Sequence, residues 1–158
     1  MQKILDVHIG QLKIAKNGEV LKAILGSCVG IGIIWKSKGI CGLAHCLLPE
    51  SPNETPVIGA RFVDQAIRSL ISTMEIQPAD LASISVIVVG GGNMTNPSKK
   101  NSELVGTKNF NEALKEAKKQ GLKVVFAKGG GKMGRQIFLD SSNFSYRVEE
   151  IPRINSVA

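Results

Sequence analysis

Aromatic residues are scarce in this 158-residue chain, which has five Phe, one Tyr and one Trp, together 4% of the sequence. No RNP-like aromatic motif, zinc-finger spacing or basic-zipper heptad compensates, so nothing beyond charge points to nucleic acid. Cysteine is limited to Cys28, Cys41 and Cys46, an odd number with no CxxC pair. That argues against a disulfide framework, and a zinc site is not expected either. No apolar run approaches the roughly 18 residues that a membrane helix needs, so membrane insertion is not expected. The MQKILDVHIG start is too short and too polar for a secretory signal, and a reducing, cytoplasmic setting with free thiols is the expectation. Internal repeats and low-complexity tracts are also missing.

What is present is an ordinary globular composition, 43% hydrophobic and 21% charged, over a length that fits one domain spanning residues 1–158. With so few aromatics the core must come from Ile, Leu, Val and Ala, which favours strands, and the 17 glycines suggest closely packed sheets. Lys and Arg number 20 against 13 Asp and Glu, a net charge of +7. The excess lies mainly in the C-terminal half, at Lys99 and Lys100, at Lys115, Lys118 and Lys119, and from Lys123 to Arg135. A solvated surface, a protein partner and nucleic acid are all compatible with such charge, in that order.

The hydrophobic pattern divides the chain into strands and two helices. Glu19 to Leu25, Val29 to Trp35 and Ile40 to Leu48 are apolar or alternating runs punctuated by Gly-Ser and Lys-Ser-Lys-Gly. From Ile58 the period changes: Ile58, Phe62, Ala66, Ile67, Leu70, Ile71 and Met74 recur at helical spacing, with Arg61, Asp64, Gln65 and Arg68 on the other side. Ser83 to Val89 reads as a buried strand. A second helix follows from about Thr107 to Gln120, ended by Gly121. Leu122 to Ala127 is a strand, and Gln136 to Asp140 with Phe144 to Glu149 a hairpin. The sum is an α+β domain.

One stretch permits a geometric test. If Val29–Trp35 and Ile40–Leu48 form a hairpin closed at residues 36–39, paired residue numbers sum to 75, so Cys28 faces Leu47 and Gly30 faces His45. Side chains alternate, so Cys28 and His45 share a face as diagonal neighbours, roughly 7–8 Å apart at Cα. Gly30 then leaves room for the imidazole. A neighbouring imidazole can take a thiol proton and make the sulfur a nucleophile. The Gly26-Ser27-Cys28 turn adds backbone amides and the Ser27 hydroxyl that could face a developing oxyanion. Such a set suits acyl transfer at an amide carbonyl. The same residues also fit a buried structural thiol beside a structural histidine. Alternation sends Cys46 away from His45, and His8 in a polar N-terminal strand carries no assigned role.

These residues resemble the chemoreceptor glutamine deamidases, the CheD family. The likeness runs through L-G-S-C-V at Leu25 to Val29, G-L-A-H at Gly42 to His45, Leu48-Pro49, R-F-V-D-x-A-I at Arg61 to Ile67, G-G-x-x-M at Gly90 to Met94, G-x-x-N at Gly106 to Asn109, and G-G-x-x-G-R at Gly130 to Arg135. The resemblance implies layered mixed β-sheets with two main helices packed on one side, as in glutamine-deamidating toxins. It also implies conversion of chemoreceptor Gln to Glu with release of ammonia, with neither metal nor organic cofactor. Cys28 would be the nucleophile, forming a thioester, and His45 the general base and acid. The partners implied are chemoreceptor cytoplasmic helices and a CheC-type phosphatase.

One position departs from the family pattern, which has a threonine six residues before the cysteine where this chain has Lys22. A lysine side chain has no acceptor for an imidazole N–H. Three consequences are open: a backbone carbonyl or another side chain orients the ring, Lys22 sits near Cys28 and favours the thiolate, or catalysis is weakened and the chain is mainly a binding adaptor. The glycine turns at Gly90 to Asn93 and Lys128 to Arg135 lack the spacing of a phosphate loop. Shaping a substrate rim and a purely structural role fit them equally.

Overall fold

A computed structural model describes residues 2–53, 57–93 and 104–151. Two sheets and two helices form three layers. The five-stranded sheet has the order β2 (Leu12–Lys16), β5 (Ile40–Cys46), β4 (Val29–Trp35), β6 (Ser85–Gly90) and β7 (Lys123–Gly129). The four-stranded sheet runs β1 (Ile4–Asp6), β3 (Val20–Leu25), β8 (Gly134–Asp140) and β9 (Ser145–Ile151). Helices α1 (Val63–Thr73) and α2 (Val105–Lys119) cover the outer face of the larger sheet.

The central strand β4 is buried along its whole length because it is covered on both faces. Val29, Ile31, Ile33 and Trp35 pack under the helices with Val63, Ile67, Leu70, Ala113 and Ala117. On the other face Ile34 joins Leu21, Ala23, Leu25, Leu43, Ile87, Ile137 and Leu139 between the sheets. Aliphatic side chains therefore supply almost the whole core, as the composition requires. Gly32 leaves no room for a side chain on this face: a Cβ there would lie 2.7 Å from Ile87 Cγ1 on the neighbouring strand and 3.3 Å from Leu139 Cδ2 in the other sheet.

The expected elements are present, with three differences. Strand β2 carries no clear alternation in its LKIAK sequence, and it is a half-exposed edge strand that sequence reading misses. Helix α1 begins at Val63, not at Ile58, because the preceding chain runs beside the end of β5. The Leu47 and Leu48 amides both donate to Arg61 O, and Ala60 N–H donates to Gly10 O. Ile58 is accordingly exposed, outside the helical stripe. Gln65 is buried rather than solvent-facing, and its Nε2 donates to Val57 O at 3.0 Å.

Helix α2 opens with Gly106 and Asn109 facing inward and ends where Gly121 adopts a left-handed φ of 78°. It links β6 to its parallel neighbour β7, as a crossover between parallel strands must. Lys123 and Lys128 lie exposed on β7, an edge strand, where lysine discourages pairing with another chain. Part of the positive charge thus has a structural use. Lys99, Lys100 and Met94 lie outside the described residues.

Candidate functional site

The β4–β5 hairpin fixes the site. Residues Lys36–Lys38 form a single 3₁₀ turn and Gly39 closes it at a φ of 75°, a left-handed value that favours glycine. The ladder pairs Trp35 with Ile40, Gly30 with His45 and Val29 with Cys46, the register expected from the turn. His45 and Gly30 therefore point between the two sheets. Cys28 belongs to that same interior cluster, whereas Cys46 faces the helices. Cys28 does not pair with Leu47, because the ladder ends at Val29 and the Leu47 amide turns to Arg61.

The ring of His45 is oriented by the main chain. Its Nδ1 lies 2.9 Å from the carbonyl oxygen of Val7. A carbonyl only accepts, so Nδ1 carries the proton and Nε2 is the free lone pair of the neutral ring. Nε2 is buried and has no hydrogen-bond partner among the described residues. Val7 is held in turn, since its N–H donates to Lys22 O at 2.7 Å. Gly10 N–H donates to His45 O at 2.8 Å, and His45 N–H to Gln11 O at 3.0 Å. The segment after β1 thus wraps the histidine on both its backbone and its ring. His8, in the turn beyond β1 rather than in a strand, is exposed.

Lys22 contributes its backbone, not its charge. It lies on the outward face of β3, paired with Phe138, and its Nζ is 5.9 Å from the centroid of that ring. Inward positions on β3 are Leu21, Ala23 and Leu25. The idea that Lys22 favours a Cys28 thiolate fails, because desolvation by burial pushes the Cys28 thiol up to about 11 and no cation among the described residues opposes it. Burial also lowers the His45 pKa below the ordinary 6.5, against a weaker opposite effect of the Val7 carbonyl. Thiol and imidazole are both neutral at rest.

Gly30 does not open a space for the imidazole. A Cβ there would meet Leu25 Cδ1 at 3.1 Å and Leu43 Cδ1 at 3.7 Å, so the gap is filled by aliphatic side chains from β3 and β5. Arg135, at the end of the Lys128 to Arg135 glycine turn, is buried, and its guanidinium donates to Gly90 O at 3.3 Å and Gly129 O at 3.5 Å, which suits the structural role. Cys41 and Cys46 are buried free thiols, Cys41 pushed up to about 12 and Cys46 higher, chiefly by desolvation. Among the described residues no group of three or more His, Cys, Asp or Glu side chains could hold a metal ion.

The Gly26-Ser27-Cys28 turn has its carbonyls and amides sorted. Gly92 N–H donates to Gly26 O at 2.9 Å and Gly91 N–H to Cys28 O at 2.8 Å. Asn109 Nδ2, from α2, donates to Ser27 O at 3.0 Å and also to Leu47 O at 3.0 Å. The amides of Gly26, Ser27 and Cys28 have no acceptor among the described residues. Sequence reasoning did not assign Val7 or Asn109 to the site. Nothing in residue type could reveal Val7, whose carbonyl every residue possesses, whereas Asn109 stood in the G-x-x-N motif without a role.

The family described as CheD chemotactic sensory transduction matches residues 47–150. A protein of Ruegeria sp. strain TM1040, named "Probable chemoreceptor glutamine deamidase CheD 2", is 38% identical over 95% of this chain and 93% of its own length. Proteins named "Probable chemoreceptor glutamine deamidase CheD" are 36% identical in Bdellovibrio bacteriovorus, over 93% of this chain and 94% of that one, and 36% identical in Thermococcus kodakarensis, over 92% and 91%. The chain belongs to the CheD family.

Proposed function

We propose that this chain is a protein-glutamine deamidase that converts glutamine side chains of chemoreceptors to glutamate, with Cys28 as nucleophile and His45 as general base and acid. One observation carries the reading: the Gly30–His45 pair sets His45 on the face that Cys28 shares, with Nδ1 tied to Val7 and Nε2 unpartnered. Nε2 takes the thiol proton as sulfur attacks the side-chain carbonyl carbon of glutamine. It then passes that proton to the leaving nitrogen, which departs as ammonia and leaves a γ-glutamyl thioester on Cys28. Water gives a proton to Nε2 and attacks the thioester, and the proton returns to sulfur as glutamate leaves. Each oxyanion forms beside the unpaired amides of the Gly26-Ser27-Cys28 turn. No step in this sequence uses a metal or organic cofactor.

The partner is a helical receptor segment in the cytoplasm, and residues 1–158 work as one unit. Exposed Ile9 lies in the segment that wraps His45 and exposed Ile58 in the stretch hydrogen-bonded to that segment through Ala60 and Gly10, and apolar side chains there suit the apolar face of a helix. Among the described residues no helix is long and apolar enough to cross a membrane. Receptor fragments incubated with the protein should gain about 1 Da per modified glutamine by mass spectrometry, and none with Cys28→Ala or His45→Ala. Equal receptor masses after wild type and Cys28→Ala end the enzymatic reading. A second reading, an adaptor that binds receptor or a CheC-type phosphatase without catalysis, draws on the burial of Cys28 and its raised pKa. It predicts partner capture that survives Cys28→Ala together with no change in receptor mass.

A further inference from the structure

The turn that carries Cys28 depends on a side chain from the other end of the fold. Peptide units are planar and trans, so the C=O of one residue and the N–H of the next point in opposite directions. Holding the Ser27 carbonyl therefore fixes the Cys28 N–H. The Gly26 and Cys28 carbonyls are held by backbone amides of the Gly91-Gly92 turn. Among the described residues the Ser27 carbonyl has one partner, Asn109 Nδ2.

Asn109 is fully buried, and the same nitrogen donates to Leu47 O, two residues beyond His45. One amide group thus joins the nucleophile turn to the strand end that carries the histidine. Its helix is seated by Gly106, where any Cβ would overlap the carbonyl oxygens of Gly91 and Gly92. Helix α2 and the Gly91-Gly92 turn therefore lock onto each other while both hold residues 26–28.

Resting on the deamidase reading, we propose that Asn109 is a positioning residue that keeps the Ser27–Cys28 peptide turned so that the Cys28 N–H meets the oxyanion. Free of this tie, the peptide can rotate and exchange its N–H for a carbonyl oxygen, which repels the same charge. Loss of an oxyanion donor costs about 100- to 1,000-fold in turnover, and a donor that is loosened rather than removed costs less.

The test is Asn109→Asp, which keeps size and shape but has no hydrogen to donate as a carboxylate and a single O–H as a neutral acid, so it cannot hold both carbonyls. Steady-state kinetics on a receptor fragment should show kcat lowered about 10- to 100-fold with KM within about threefold, because the loss appears in the transition state. A variant kcat per folded molecule within twofold of wild type overturns the proposal.

Thiol alkylation, followed by mass spectrometry of each cysteine peptide, supplies a readout that does not need the deamidase activity. Cys28 should change its alkylation rate in Asn109→Asp while Cys41 and Cys46 keep theirs. A parallel increase at all three means general loosening and overturns the positioning role. Should Asn109→Asp fail to melt cooperatively, Asn109→Ser, with one shorter donor, takes its place under the same criteria. If wild type itself leaves receptor mass unchanged, the deamidase reading has failed, and the Cys28-specific alkylation change still decides whether Asn109 governs the turn.

Discussion

Replacing the Lys22 side chain is expected to leave deamidation nearly intact, although the family pattern places a histidine-orienting threonine at this position. The orienting acceptor is Val7 O, 2.9 Å from His45 Nδ1, and what Lys22 gives Val7 is its own carbonyl, 2.7 Å from Val7 N. Lys22→Ala and Lys22→Thr both retain that carbonyl. Among the described residues the side chain lost makes one charged or ring contact, Nζ over the Phe138 ring at 5.9 Å, at the outer limit for a cation–π pair and partly in water. Such a contact contributes about 0.5 kcal/mol. Stability should fall by roughly that amount in Lys22→Ala, and kcat/KM should stay within about threefold of wild type, since 1.36 kcal/mol corresponds to tenfold in rate. A side chain that truly set the imidazole tautomer would be worth about 10⁴-fold in kcat when disabled. The two outcomes are therefore well separated. Ammonia release from a receptor fragment, measured over a range of substrate concentrations and paired with thermal melts, tells them apart. A hundredfold loss in Lys22→Ala with an unchanged melt, or a tenfold gain in Lys22→Thr, would refute the assignment of Val7 as the orienting group.

Two other outcomes follow from the same geometry. Because burial lowers the His45 pKa, Nε2 stays unprotonated at neutral pH, and kcat/KM should fall only as pH drops below 6.5, with an apparent acid pKa under that ordinary imidazole value; an acid limb centred above 6.5 contradicts the neutral ring. Gly30→Ala should cost about 1–3 kcal/mol in denaturant unfolding through overpacking against Leu25 and Leu43 yet keep most of the kcat of the folded protein, because the added methyl meets those side chains; a kcat lost without loss of stability would restore the imidazole as its neighbour.

The hairpin register was legible in the sequence because it depends on local quantities, a period of two and a four-residue turn closed by Gly39. Parity alone then put Cys28, Gly30 and His45 on one face and Cys46 on the other. What surrounds that face was not legible. The space above Gly30 is decided by Leu25, from a strand in the other sheet. The start of α1 was misread because Ile58 and Phe62 fall by coincidence on the helical period, while hydrogen bonds to Gly10, Leu47 and Leu48 hold that stretch out of the helix. Arg135 sits in the sequence at the end of a glycine turn, and its partners, the carbonyls of Gly90 and Gly129, are ones that only the fold brings to it. Contacts between segments remote in sequence, made largely through main-chain atoms, leave no trace in residue type.

On the deamidase reading, the burial that shifts both groups also explains how the site holds Cys28 and His45 idle. Desolvation disfavours the thiolate of Cys28 and the imidazolium of His45 together, so each shift opposes the ion pair that would make the sulfur nucleophilic in advance. Burial, which raises its pKa, keeps the Cys28 thiol un-ionised at neutral pH. On the deamidase reading, proton transfer to Nε2 then has to accompany attack on a bound carboxamide, when the developing oxyanion offers charge for the free amides of residues 26–28 to stabilise. Those amides are available because their turn's carbonyls are already taken by Gly91, Gly92 and Asn109. Activation is thereby tied to the substrate, and the parts that arrange it come from β1, the Gly91-Gly92 turn and α2 as much as from the hairpin that bears His45.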